Sequence, residues 1–262
     1  MLRMFWTSKS AMNANQQKLD AISNNIANVN TEGYKRVDVT FKDLVSESLE
    51  RQGYPMTQDS NRSQTPFTGT GVKTGNWIRD NSQGNFLSTE KSSDLAIEGQ
   101  GYFRMVRADG SYVYSRSGSF NADENGRLVD GKGNILYIDF NEGNSYDNVK
   151  LSKDNFVIDK DGLITIKNGD DHVTVGRVPI FDAEGQDAFT SIGDSLYVAK
   201  DGVNLYENGD ANIFQGIIEV SNVNMVTEFS DMIMTQRAFE LNSKGLRVAD
   251  EMWGMANNLR GR

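Results

Sequence analysis

MVTEFSDMIMTQRAFELNSKGLRVADEMW, residues 225–253, carries an apolar side chain at every seventh position: Met225, Met232, Phe239, Leu246 and Trp253. A seven-residue repeat keeps one seam turned toward a partner helix, so the spacing predicts a coiled-coil helix. Phe229, Gln236, Ser243 and Asp250 fall on the alternate seam positions. Beside the seam runs a mixed-charge stripe of Arg237, Glu240, Lys244, Arg247 and Glu251. Within it, the pairs Glu240/Lys244 and Arg237/Glu240 each add about 0.2–0.5 kcal/mol of helix stability. No Pro or Gly interrupts residues 222–244.

The chain opens on the same device. Phe5, Met12, Leu19 and Ile26 lie seven apart, Ile22 and Val29 occupy the alternate seam, and Ser8 and Asn15 are its polar members. A helix is expected from about residue 5 to Val29, ending near Asn30 with Gly33 as its C-cap. Two matching helical ends bury their seams most simply by pairing with each other. The plainer alternative is two unrelated helices packed on whatever lies between.

What lies between has another rhythm. Turn dipeptides recur at Asp109-Gly110, Asn125-Gly126, Asp130-Gly131, Asp161-Gly162, Asn168-Gly169, Asp201-Gly202 and Asn208-Gly209. Alternating or β-branched runs separate them, such as Tyr112-Val113-Tyr114, 163–166 and 172–175, which predicts antiparallel β structure. Residues 47–74 are polar and hold Pro55 and Pro66, as an extended connection would. The expected fold class is therefore α+β: N- and C-terminal helices forming an α-helical coiled coil, with an inserted antiparallel β-rich domain. The expected boundaries are 1–34 and 222–262 for the helical terminal domain, 35–84 for the connecting segment and 85–221 for the β-rich domain.

Composition narrows the function. The 262 residues carry a net charge of −9, which argues against nucleic acid, because phosphate binding needs a basic face. With no cysteine and a single histidine, thiolate metal sites, disulfides, cysteine nucleophiles and paired-histidine sites are excluded. No run approaches the ~20 apolar residues of a membrane span. The apolar start breaks at Thr7-Ser8-Lys9, short of the hydrophobic run of about 7–15 residues that a secretory signal needs, so no membrane insertion and no general-route export are expected.

The helix flanks are recognisable. NNIANVNTEGYK (residues 24–35) resembles the N-terminal signature of the flagellar basal-body rod and hook protein family. EVSNVN (219–224) with MTQRAFELNSK (234–244) resembles its C-terminal counterpart. DLAIEGQGYF (94–103) and YSRSGSF (114–120) are similar to motifs of the family's β domain. The resemblance covers nearly the whole chain. By length, and by FKDL (41–44) and GTGV (69–72), it is nearest the branch that builds the distal rod, with proximal rod or hook subunits as the alternative. It implies export, unfolded, through the flagellar type III apparatus, and homo-oligomeric growth as a helical polymer in the basal body, outside the cytoplasmic membrane. Proximal rod subunits, hook subunits and surrounding ring proteins are the implied partners. A drive shaft that transmits torque from motor to hook is the implied function.

The seam residues above are then the expected assembly surface. The expected inter-subunit polar positions are Asn15, Asn24, Asn25, Asn28, Gln236 and Ser243. Asn24 and Asn25 lie too far inside the helix to be caps, whereas Asn30, Asn222 and Asn224 suit capping. An amide can donate and accept at once, which suits a neighbouring helix. The ends are expected to order fully only between subunits, and segment 37–84 to pack between them and set shaft stiffness.

No enzyme, cofactor or metal is expected. GRLVDGKG (126–133) lacks the Ser or Thr that closes a phosphate loop and the helix that must follow it. DKDG (159–162) lacks the later ligands of a calcium loop. Gly69-Thr70-Gly71 and Gly99-Gln100-Gly101 are isolated turns, Asn61-Arg62-Ser63 is a chance sequon, and His172 belongs on a strand. A secreted β-rich binding module would account for the middle of the chain but leave both heptad ends unexplained.

Overall fold

The computed structural model describes residues 2–44, 46–48, 67–69, 71–146, 148–152, 155–168, 171–185 and 188–260. Most of 47–66, the sequon at Asn61, Thr70 and Gly169 lie outside the described residues. Two compact units divide the chain. One contains 1–27, 36–80 and 224–262, the other 28–35 and 81–223.

The first unit holds the two terminal helices, α1 (Leu2–Ala27) and α2 (Met225–Arg260), packed against each other. Asn224 starts α2: its side-chain oxygen accepts from the Val226 and Thr227 amides at 3.0 and 3.3 Å, satisfying two donors that a helix start leaves open. At about 1.5 Å per residue, the 36 residues of α2 reach roughly 54 Å. The expected ion pair Arg237–Glu240 is present at 3.0 Å on its exposed side.

α1 is shorter than its heptad predicts. It stops at Ala27, so Val29 and Asn28 lie beyond it, and Gly33 is no C-cap. Gly33 has φ +62°, and a Cβ there would come within 2.7 Å of the Arg116 carbonyl carbon; its glycine serves a close backbone crossing in the second unit. Asn222 is likewise not a cap, and its side-chain NH2 donates to the Ser82 carbonyl and hydroxyl at 3.0 and 3.1 Å.

Within the connecting segment, Val37–Asp43 and Val72–Arg79 pair as an antiparallel ribbon that packs on α1. Ser46–Ser48 and Phe67–Gly69 pair in the same sense. Thr74 Oγ1 bonds Gln17 at 2.5 Å, the Val72 amide bonds Ser10 Oγ at 3.3 Å, and Lys18 pairs with Asp38. Polar residues of the ribbon thus meet polar residues of α1, which is why neither side reads as core.

In the second unit every strand pair is antiparallel. The largest sheet runs in order through Phe189–Gly193, Leu196–Ala199, Tyr112–Ser115, Tyr102–Val106, Ile135–Leu136, Leu128–Val129 and Asn121–Ala122. Side chains alternate across it: Phe103, Met105, Val113, Leu136 and Leu196 enter the aliphatic core, while Tyr102, Tyr114 and Tyr197 lie in an aromatic cluster. A four-stranded sheet contains Asp139–Phe140, Asp171–Arg177, Leu163–Asn168 and Phe156–Ile158. Gly110, Gly126 and Gly162 turn as their dipeptides require, each donating to the carbonyl three residues back. The loop that resembled a phosphate cradle is a hairpin, with Val129 paired to Ile135.

Candidate assembly interface

The helices of the first unit meet along a seam other than the apolar one. On α2 the buried positions are Glu228, Thr235 and Ala249, with Asn242 half-buried between them, a seven-residue row shifted three places from Met225. On α1 the buried residues are Ser8, Ala14, Ala21, Ile22 and Asn25. A Cβ on Gly245 would stand 3.2 Å from Ser8 Oγ, so small side chains let the helix axes approach.

This rotation decides where the expected seam residues fall. Ile22 is buried, and Met12, Leu19, Ile26, Met232, Phe239 and Leu246 flank the contact half-buried. Phe5, Met225, Phe229 and Trp253 are exposed. Among the polar candidates, Asn24 and Gln236 are exposed and Asn15 and Ser243 half-buried; Asn28 accepts from the Thr31 hydroxyl at 3.1 Å. A further heptad row, not marked in the sequence, lies open on α2: Met234, Leu241, Val248 and Met255 are 63%, 66%, 46% and 58% exposed.

Asn25 is 1% exposed and bonds the neighbouring helix α2 and the ribbon of its own chain. It exchanges two 2.9 Å bonds with the Val37 backbone and donates to Glu228 Oε2 at 3.1 Å. Glu228, fully buried in the first turn of α2, also accepts from Arg36 Nε at 2.5 Å, and a carboxylate there is favoured by the helix dipole. One asparagine and one glutamate thereby join α1, α2 and the ribbon. Asn25→Ala strands the Val37 amide and one Glu228 oxygen, so the monomer should lose about 1–3 kcal/mol of stability, measured by urea unfolding through tryptophan fluorescence. All three tryptophans, Trp6, Trp77 and Trp253, belong to this unit.

The second unit has a counterpart in Glu219, 1% exposed. Lys35 Nζ and Arg116 Nε each reach one of its carboxylate oxygens at 2.6 Å, and the Gly84 amide donates at 2.8 Å. Arg116 places three further donors on the carbonyls of Gly101 (2.6 Å), Ile97 (2.9 Å) and Gly99 (2.6 Å), and Lys35 also donates to the Ser82 carbonyl at 2.8 Å. The Gly33 amide donates to the Glu219 backbone carbonyl at 2.9 Å. Burial opposes ionisation of Glu219, but the charges and hydrogen bonds of Arg116 and Lys35 outweigh it and hold the carboxyl below its usual range.

Residues from four quoted motifs (24–35, 94–103, 114–120 and 219–224) therefore converge on one buried cluster, the carboxylate of Glu219 with Lys35 and Arg116, whose guanidinium also holds the 94–103 carbonyls. Sequence reasoning used those motifs for recognition and missed their physical role. A lone Lys35, Arg116 or Glu219 in polar surroundings reads as surface, and nothing in one sequence pairs residues 184 apart.

Comparison with known proteins agrees with this geometry. Residues 6–35 match the profile described as flagella basal body rod protein. Residues 96–166 match that of the flagellar hook protein FlgE/F/G D1 domain, and 215–259 that of the flagellar basal body rod FlgEFG protein C-terminal. The flagellar basal-body rod protein FlgG of Borreliella burgdorferi is 33% identical, over 99% of both chains. FlgG of Bacillus subtilis is 34% identical over 99% of this chain and 100% of its own. The flagellar hook-basal body complex protein FlhP of Bacillus subtilis is 28% identical over the same shares.

Proposed function

The chain belongs to the flagellar basal-body rod protein family, and from that premise we propose that it polymerises into the distal rod through apolar rows of its terminal helices. It is a structural, non-enzymatic subunit of the flagellar basal body. The observation that carries the proposal is the unused apolar surface of α2. Intrachain packing consumes small and polar residues and leaves Phe229, Trp253 and the row Met234, Leu241, Val248, Met255 open to solvent. Contiguous exposed apolar rows of this kind mark protein contacts, and a heptad row fits another helix.

In this reading the seam residues Phe5, Met12, Leu19, Ile26, Met225, Phe229, Met232, Phe239, Leu246 and Trp253 complete their burial against neighbouring copies. Asn15, Asn24, Gln236 and Ser243 fix their register. The segments 1–34 and 222–262 polymerise, 35–84 lies between subunits and stiffens the shaft, and 85–221 is the inserted β-rich domain. Proximal rod and hook subunits join the two ends of the polymer, ring proteins surround it, and the chain arrives unfolded through the flagellar type III apparatus. A helix pair joined over small and polar residues gains little from apolar burial, which suits a chain that crosses unfolded and is completed by its neighbours.

Electron microscopy and sedimentation of the concentrated full chain test this. Ordered rods are the expected result, and a persistently monomeric protein would count against it. Leu241→Glu should leave the monomer within about 0.5 kcal/mol of the unsubstituted chain, as at other exposed sites, yet abolish the sedimenting polymer. Undiminished polymer would remove this row from the interface.

A further inference from the structure

Arg104 stands on the aromatic face of the largest sheet, on the strand Tyr102–Val106. Its register partner across one side is Tyr114, and on the other its carbonyl accepts from the Tyr137 amide at 2.9 Å. The guanidinium carbon lies 3.4 Å from the Phe181 ring centroid and 5.0, 5.3 and 5.7 Å from those of Tyr112, Tyr137 and Tyr114. All four rings lie within cation–π range, with Phe181 the nearest.

The same rings cannot serve its edge. A guanidinium carries five N–H donors in a rigid fork. Nε is buried with no hydrogen-bond partner, and no ion pair reaches Arg104 among the described residues. Nε itself lies too deep for a second copy to reach, but Arg104 is half-buried and its two Nη atoms are not among the buried unmatched ones, so the outer edge of the fork is open. The group that matches it is a bidentate carboxylate.

We propose that Arg104 is a docking point for an Asp or Glu side chain of a second copy of this chain, an inference that rests on polymer formation. Charge favours this occupant. Residues 28–35 and 81–223 hold 24 Asp and Glu against 13 Lys and Arg, so a neighbouring copy presents a surplus of carboxylates. Two such units repel unless a cation stands where they meet.

Two variants of the full chain test the docking point. Arg104→Met keeps an apolar stem against the rings and removes the charge; Arg104→Lys keeps the charge and removes the fork. Monomer melting and the concentration at which polymer sediments are measured for each. Expected for Arg104→Met is an unchanged melting temperature with a critical concentration raised about 10- to 100-fold, the value of one charge-assisted contact; Arg104→Lys should recover part of it. If Arg104→Met polymerises like the unsubstituted chain, the proposal is overturned. It is also overturned if both variants melt early, since Arg104 is then a structural group, or if Arg104→Met alone melts early while Arg104→Lys polymerises normally. Early melting of Arg104→Met with normal melting but weak polymerisation of Arg104→Lys supports it. An unsubstituted chain that stays monomeric ends the polymer reading, and this proposal with it.

Discussion

Replacing Glu219 with alanine is expected to destabilise the β-rich unit by about 3–5 kcal/mol, the cost of stranding a buried charge whose partner has been removed. Lys35 and Arg116 are both nearly inaccessible, and each has Glu219 as its ion-pair partner. Glu219→Gln keeps the shape and an acceptor for the Gly84 amide, so its loss should be smaller than that of alanine but in the same direction. Tyrosine near-UV circular dichroism during urea unfolding is the measurement, because this unit contains no tryptophan. Tryptophan fluorescence reports separately on the helical unit. A variant whose tyrosine transition stays at the unsubstituted midpoint would show that the carboxylate carries no such share of the stability.

The same group sets a pH dependence. Its folded pKa is depressed, so its contribution is complete above the unfolded value of about 4.3 and is lost as pH falls through the lower folded value. Unfolding free energies at neutral pH and at pH below 4 should therefore differ less in Glu219→Gln than in the unsubstituted chain. An equal fall in both would assign the acid sensitivity elsewhere.

Gly118→Ala is the second large effect, and its cause is steric. A Cβ at this position would stand 2.7 Å from the Leu95 carbonyl carbon and 3.2 Å from a ring carbon of Phe103. The two backbones are tied there, since the Leu95 amide donates to the Gly118 carbonyl at 2.9 Å. Neither side can withdraw: Leu95 and Phe103 are both in the core. Overpacking against backbone is expected to cost about 3 kcal/mol or more, lowering the melting temperature by roughly 6–12 °C for a unit of this size. Gly131→Ala is the control. Nothing lies within 4 Å of its added Cβ, so a change of no more than about 0.5 kcal/mol is expected. Equal melting of the two variants would refute the close approach.

These two residues also show how legibility was distributed. Gly118 and Glu219 both sit in stretches that looked familiar, yet neither announced its role. Gly118 has no positive φ and no turn around it, so only the Leu95 backbone across the gap explains it. Asn25 was singled out because it lay too deep in its helix to be a cap, and it proved to be a junction. Its partners, Val37 and Glu228, could not be found from spacing, because they lie 12 and 203 residues away. The ribbon escaped notice for a related reason: its polar residues face a polar side of α1, so neither shows the alternation that signals a buried strand.

The heptads were read correctly as helices that pair, and the contact inside one chain runs along a face beside the apolar one. Periodicity reports which residues share a side of a helix, a local property fixed at seven residues per two turns. It cannot rank that side against another of similar pitch. From the sequence alone came the two terminal helices, the antiparallel middle with its glycine turns, the absence of thiol and paired-histidine chemistry, and the family. The tertiary structure decided that Glu228, Thr235 and Ala249, rather than Met225, Phe229 and Trp253, meet α1. It also decided that Lys35, Arg116 and Glu219 are one buried cluster. The physical reason is common to both: close approach of backbones and neutralisation of buried charge depend on distances between remote parts of the chain. The apolar rows so plain in the sequence stay exposed or half-buried, because small and polar residues close the intrachain seam.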